Sequence, residues 1–271
     1  MKAIILAAGK GTRLRPLTYG IPKPLLPVKG RPMLDWVIRT ALNDKIDEII
    51  VGVSGTVGED IEERTLSHIH GICIDAYVKN LDYGCNIRTI PTPQKETGGD
   101  LRYILEETGI KGAVLVIYGD NLTLFNLDEM IEYHKRCREK LGTVCTVLLF
   151  EAPENELHRF GIAKLKSVEG FDIIEDFVEK PSLEEAPSKF ANGGYYIIEV
   201  DDVIDLLPRE KIKTEMSLFP LLAKEGKLAA FTTKLPYWID ISTVQAYDTA
   251  NKMAHDNLIL PPPLPDNNQK E

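Results

Sequence analysis

The stretch Ala7-Ala8-Gly9-Lys10-Gly11-Thr12-Arg13 sets small residues, two glycines and two cations directly after the apolar run "KAIILAA". Small residues let backbone N–H groups come close to a ligand, and clustered N–H groups make concave anion sites. Arg13 adds a planar fork that matches phosphate oxygens. Lys23, flanked by Pro22 and Pro24 in "PKPLLPV", adds a compact charge on a stiffened chain. This is equipment for holding phosphates. Two standard phosphate loops fail on spacing. GxxxxGK[ST] needs its lysine after the second glycine, and here Lys10 precedes Gly11. GxGxxG fits at Gly9 and Gly11, but Leu14 occupies the place of the third glycine, which exists to let helix and strand pack closely.

Charge distribution supports a local anion seat. Residues 1–34 carry seven Lys or Arg and no Asp or Glu, in a chain whose net charge is −9. That acidic balance argues against a nucleic-acid partner, which needs a broad basic face. Cys73, Cys85, Cys137 and Cys145 form no CxxC pair or zinc-like spacing and read as free thiols in a reducing compartment. His68 and His70 have no carboxylate or cysteine at a matching spacing and read as solvent-exposed. No run approaches the ~20 apolar residues of a membrane span, and "AIILAA" is too short for a signal-peptide core. The expectation is a cytoplasmic protein with no membrane partner.

The elements that must position these residues alternate through residue 150. "KAIILAA", "DEIIVGVS", "GICIDAYVK", "AVLVIYGDN" and "TVCTVLLF" read as strands. "PMLDWVIRTALND", "GEDIEERTLSHI", "TGGDLRYILEET" and "LDEMIEYHKRCREK" read as helices. Such alternation implies an α/β protein with a mostly parallel twisted sheet flanked by helices. After 150 the rhythm turns antiparallel: "FGIAKLKSVEGFDIIEDFVEKP" is a hairpin turning at Glu169-Gly170, and "NGGYYIIEV" and "KLAAFTTKLPYWIDI" are extended. "EMSLFPLLAKEG" and "STVQAYDTANKMAHD" read as helices. No Gly/Ser linker intervenes, so residues 1–259 read as a single domain with halves 1–150 and 151–259. The proline-rich 260–271 reads as an extended or disordered tail.

"LAAGKGTRLRPLT" followed by "PKPLLPVKGRPML" resembles the signature of the sugar-1-phosphate nucleotidylyltransferases, the NDP-sugar pyrophosphorylases. "YGDN", "FGIAKL", "DFVEKP", "NGGYYI" and "YWIDIST" continue the resemblance in family order over residues 1–250, and no hexapeptide repeat follows. The resemblance implies a Rossmann-like nucleotidyltransferase fold in its short form, without a β-helix domain. It also implies a reaction: a nucleoside triphosphate and a sugar 1-phosphate give a nucleotide-sugar and pyrophosphate.

A sugar phosphate carries close to two charges at neutral pH, its second pKa being about 6. It needs no general base, so catalysis there rests on alignment and charge neutralisation. The resemblance places Ala8 and Gly9 by the nucleoside and Gly11, Thr12 and Arg13 on the triphosphate. Arg13 would steady departing pyrophosphate, and Lys23 the α-phosphate. Asp120, at the carboxyl end of a strand where open α/β sheets place ligands, and Asp240 match the family's two carboxylates for Mg²⁺. Glu179 would accept hydrogen bonds from sugar hydroxyls and Lys180 contact the sugar's phosphate, with Gly161, Asn192 and Gly193 lining the same pocket. Read singly, such residues are a helix cap, a strand end or a turn; their joint order carries the assignment.

The segment expected to face the base, "PTPQKETGGDL", contributes Gln94, Gly98 and Gly99. It departs from the pattern of the thymidylyltransferases and is more like loops of cytidylyl-, uridylyl- and some guanylyltransferases, so uracil, thymine and cytosine all stay open. The reading favours a pyrimidine nucleotide with glucose 1-phosphate, with GTP and another sugar phosphate as the variant. Ser242 stands where the family often has glycine. A catalytically inactive regulatory or assembly subunit is the rival; such relatives lose the charged residues retained here. The family is often dimeric or tetrameric, which allows a homo-oligomer, but no contact surface is legible.

Overall fold

The computed structural model describes residues 1–264; the remainder of the predicted tail, 265–271, lies outside the described residues. The chain divides into two compact units. Unit 1 comprises Met1–Pro93, Tyr118–Leu127 and the described residues from Pro236 onward; unit 2 comprises Gln94–Ile117 and Asp128–Leu235.

In unit 1, Lys2–Leu6 pairs in parallel with Glu48–Ser54, which pairs in parallel with Asn86–Thr92. Ala3, Ile4, Ile5, Ile49, Ile50 and Val51 are fully buried, as continuous apolar strands covered on both faces require. The helix Met33–Ala41 buries Leu34, Trp36, Val37 and Ile38.

One predicted strand is a helix instead. "GICIDAYVK" continues Ile61–Lys79, a 19-residue helix begun by the Asp60 carboxylate, which accepts from Glu63 N–H at 2.8 Å. Its buried residues Ser67, His70, Gly71, Ile74 and Val78 recur at helical spacing, whereas Ile72 and Cys73 face solvent. A Cβ at Gly71 would lie 2.2 Å from the Ser54 carbonyl oxygen, so the glycine serves close helix–strand packing. The third strand is Asn86–Thr92, which lies outside the predicted elements. His68 is exposed as expected, but His70 is 6% exposed, a correction that follows from its place on this helix's inner face.

Unit 2 orders its strands as 113–117, Phe190–Glu199, Cys145–Glu151, Leu228–Thr232, Phe171–Glu179 and Gly161–Val168. Phe190–Glu199 runs antiparallel to both of its neighbours in that order, and Cys145–Glu151 runs parallel to Leu228–Thr232. The predicted hairpin is present, with Val168 paired to Phe171. Its turn residues Glu169 and Gly170 have φ of 51° and 82°, as a two-residue turn matched to strand twist demands. The helix Glu96–Thr108 ends on Gly109 in the left-handed region, and Pro220 sits in the first turn of Leu218–Lys224. Among the described residues no helix is long and apolar enough to cross a membrane.

Candidate functional site

Unit 1 builds a charged cluster from three distant segments. The strand Lys2–Leu6 delivers Ala7 and Ala8, both buried, and the Ser54 hydroxyl holds the Ala8 carbonyl at 3.1 Å. Nothing lies within 4 Å of the Cβ position at Gly9. Gly11 takes φ of 63°, and its carbonyl accepts from the Thr18 hydroxyl at 2.9 Å. A short turn, Thr12–Leu14, follows; Thr12 and Arg13 are exposed while Leu14 is fully buried. Leucine thus replaces the third glycine because it plugs the core. Lys10 pairs with Glu63 at 2.8 Å on the surface.

Lys23 is only 9% exposed, and its Nζ lies 2.6 Å from Asp120 Oδ2. The adjoining Pro22 and Pro24 and the Leu26 N–H to Lys23 carbonyl bond at 3.1 Å seat it. Asp120 follows Gly119, whose N–H bonds the Leu6 carbonyl at 3.0 Å, tying this turn to the end of the first strand. Asp240 arrives through a two-stranded ladder in which Trp238 pairs Thr123 and Asp240 pairs Asn121. Burial, then the charge of Asp120, raises the Asp240 carboxyl above its usual range; Lys23, a hydrogen bond with Ser242 and Arg13 pull the other way.

This donor set suits a hard divalent cation. Two carboxylates held together repel, and a cation shared with phosphate oxygens would relieve the repulsion. Among the described residues no group of three or more His, Cys, Asp or Glu could hold a metal ion.

Unit 2 gathers a second set. Glu179 ends its strand opposite Gly161. A Cβ on Gly161 would meet the Phe177 ring at 2.5 Å and Glu179 Oε2 at 3.0 Å, so only glycine fits beside this carboxylate. Lys180 is exposed, with φ of 52° and its N–H on the Phe160 carbonyl at 2.9 Å. Asn192 is buried and its side-chain oxygen accepts from Gly194 N–H at 2.9 Å, at a break in strand register. Gly193 packs on Leu148, which a Cβ would meet at 3.1 Å.

Gln94 has φ of 54°. Gly98 and Gly99 are buried; their Cβ positions would meet the Ile212 and Glu210 carbonyl oxygens at 2.8 and 2.5 Å, and Gly98 N–H bonds Ile212. Both glycines therefore admit a neighbouring stretch of backbone. Two residues with a part here were missed in the sequence. Thr18 lay inside the quoted signature without an assigned task. Lys213, whose Nζ is 3.1 Å from Glu179 Oε1, carried no signal 34 positions away.

The family model described as nucleotidyl transferase matches residues 2–257. A UTP–glucose-1-phosphate uridylyltransferase of Synechocystis is 33% identical over 253 residues, covering 91% of this chain and 61% of that one. A mannose-1-phosphate guanyltransferase of Saccharomyces cerevisiae is 30% identical, covering 89% and 61%. The chain thus spans about three fifths of the length of these relatives. Among solved structures, an apo UDP-glucose pyrophosphorylase superposes with a TM-score of 0.73 at 21% identity, over 96% of this chain and 100% of that one. That likeness speaks for the fold, a mixed α/β arrangement of sheet flanked by helices.

Proposed function

Because this chain belongs to the nucleotidyl transferase family, we propose that it joins a nucleoside triphosphate to a sugar 1-phosphate, releasing pyrophosphate. The observation that carries this reading is the unit 1 cluster: a nearly buried lysine on one of two adjacent carboxylates, beside a glycine loop bearing an exposed arginine.

In this proposal the backbone at Ala8 and Gly9 lies by the nucleoside, and Gly11, Thr12 and Arg13 take the triphosphate. Arg13, exposed on its turn, meets charge developing on pyrophosphate. Lys23 is seated in advance beside Asp120, so its ammonium is already at the site and has only to exchange that partner for the α-phosphate. Asp120 and Asp240 hold Mg²⁺, which when bound neutralises phosphate oxygens that would otherwise repel each other. Gln94 with Gly98 and Gly99 belongs to the base-reading segment, where the glycines act by seating residues 210–212. Glu179, Lys180, Gly161, Asn192 and Gly193 take the sugar phosphate, the carboxylate receiving hydroxyls and Lys180 neutralising the phosphate. The attacking oxygen is already anionic, so no residue need act as base.

We take glucose 1-phosphate with a pyrimidine nucleotide as the substrates, as the uridylyltransferase relative supports. The guanyltransferase relative favours a second reading, the same chemistry with GTP and another sugar phosphate. Pyrophosphate release measured over UTP, dTTP, CTP, GTP and ATP, each with glucose or mannose 1-phosphate, decides between them. The first reading expects a pyrimidine triphosphate with glucose 1-phosphate; turnover confined to GTP supports the second. No turnover with any pair, with Mg²⁺ present, would sink both.

A further inference from the structure

The carboxylate of Glu179 is held at one oxygen and has room at the other within unit 2. Oε1 accepts from Lys213 Nζ at 3.1 Å, and Oε2 borders the Cβ side of Gly161. The Glu179 side chain is 15% exposed and that of Lys213 33%, so water screens the pair only in part. Burial disfavours the Lys213 charge, but the pull of Glu179, then of Glu215 and Glu96, raises its pKa above the ordinary value. The ammonium persists through the neutral range.

Lys213 is also rigidly seated. Its carbonyl accepts from Met216 N–H at 3.1 Å and from the Ser217 hydroxyl at 2.8 Å. Next to it, Thr214 N–H bonds the Thr97 oxygen at 3.0 Å, and that hydroxyl donates to the buried Glu215 at 3.0 Å. With the Gly98 to Ile212 bond, these contacts clamp the segment onto the first turn of the helix Glu96–Thr108. An exposed ion pair pays side-chain entropy for little gain; here the clamp fixes the backbone that carries Lys213, so only its side-chain rotamers remain to be ordered when it meets Glu179.

We propose that Lys213 is a positioning residue for sugar recognition, fixing the Glu179 carboxylate so that its remaining lone pairs stay available to the hydroxyls of the sugar 1-phosphate. The inference rests on the reading of Glu179 as hydroxyl acceptor. It adds that the same residue stretch that seats Gly98 also sets the sugar carboxylate.

The test is steady-state pyrophosphate release with glucose 1-phosphate varied at saturating triphosphate. It compares the parent enzyme with Lys213→Met, Lys213→Arg, Glu179→Gln and the Lys213→Met/Glu179→Gln pair. Lys213→Met should raise KM for the sugar phosphate about tenfold, the scale of one charged hydrogen bond, with kcat changed by less than about threefold. Lys213→Arg should restore most of the loss. The double variant should bind sugar phosphate no worse than Glu179→Gln alone, because the two residues act as one unit. An unchanged KM in Lys213→Met beside a raised KM in Glu179→Gln overturns the proposal. Multiplying effects overturn it too, since they would put Lys213 on the substrate itself. A drop in kcat and melting temperature with KM intact reduces Lys213 to a structural part. If Glu179→Gln leaves KM unmoved, the assignment of the sugar half fails first.

Discussion

The backbone N–H of Ile241 lies 3.0 Å from the carbonyl oxygen of Asp120. This bond, with the Asn121–Thr123 to Trp238–Asp240 ladder around it, sets side by side two acids that are 120 positions apart. Asp240 carries the electrostatic strain, its carboxyl raised by burial and by the neighbouring Asp120. Proteins tolerate such strain where a ligand will use it.

Asp240→Asn keeps the shape and removes the repelled charge. Turnover should fall about 100-fold or more, while the thermal midpoint of the metal-free protein should hold or rise. Retained turnover would argue that this carboxylate is dispensable for the reaction, and a lost fold that it is structural.

Gly11→Ala should damage the proposed phosphate loop without removing a charge. A Cβ there would sit 3.0 Å from Thr18 Cγ2 and 3.1 Å from Lys23 Cβ, on backbone with φ of 63°. We expect about 1–2 kcal/mol of destabilisation in urea and a raised KM for the triphosphate. Thr18→Val, which removes the hydroxyl bond to Gly11, should move the same KM less. A triphosphate KM unaffected by both changes would sever the loop from nucleotide binding.

Acid should destabilise the fold before the carboxylates titrate. His70 is held below the ordinary 6.5 by burial, and His134 by burial that outweighs the attraction of Glu199. The unfolded imidazoles therefore bind more protons as pH falls through about 6.5, so this stability is present above that value and lost below it. His70 Nε2 has no hydrogen-bond partner among the described residues. His70→Leu should flatten the fall in unfolding free energy between pH 7 and 5 by up to about 1.4 kcal/mol per pH unit. An unchanged slope in urea titrations would mean that His70 charges freely in the native protein.

The four thiols should separate by reactivity. Cys73 is exposed and Cys85 half-buried, whereas Cys137 and Cys145 are fully buried. Burial pushes the Cys137 thiol up to about 11 and that of Cys145 higher. A thiol reagent at pH 8 should label Cys73 first and Cys85 more slowly, with the other two reacting only in denaturant. Rapid labelling of Cys145 in the folded protein would contradict the packing of the strand Cys145–Glu151.

Much of the fold was legible because local periodicity decides it. The buried strands Lys2–Leu6 and Glu48–Ser54, the amphipathic Leu127–Leu141 and the Glu169-Gly170 turn each declare themselves within a few residues. Ile61–Lys79 misleads because its apolar, β-branched stretch Ile72-Cys73-Ile74 resembles a strand when read alone. Its helical face emerges only from packing Gly71 on Ser54.

The sequence by itself determined the candidate phosphate loop, the flanked lysine and the candidate carboxylates, since residue type and order carry that chemistry. Tertiary structure alone decided which cation meets which acid: Lys23 against Asp120, and Lys213 on Glu179. It also put Phe190–Glu199 beside Cys145–Glu151 in an antiparallel pair. The physical reason is range. Backbone propensity and hydrophobic period act over a few neighbours along the chain. Coulomb forces and strand pairing act through space, between residues whose separation in sequence says nothing of their distance.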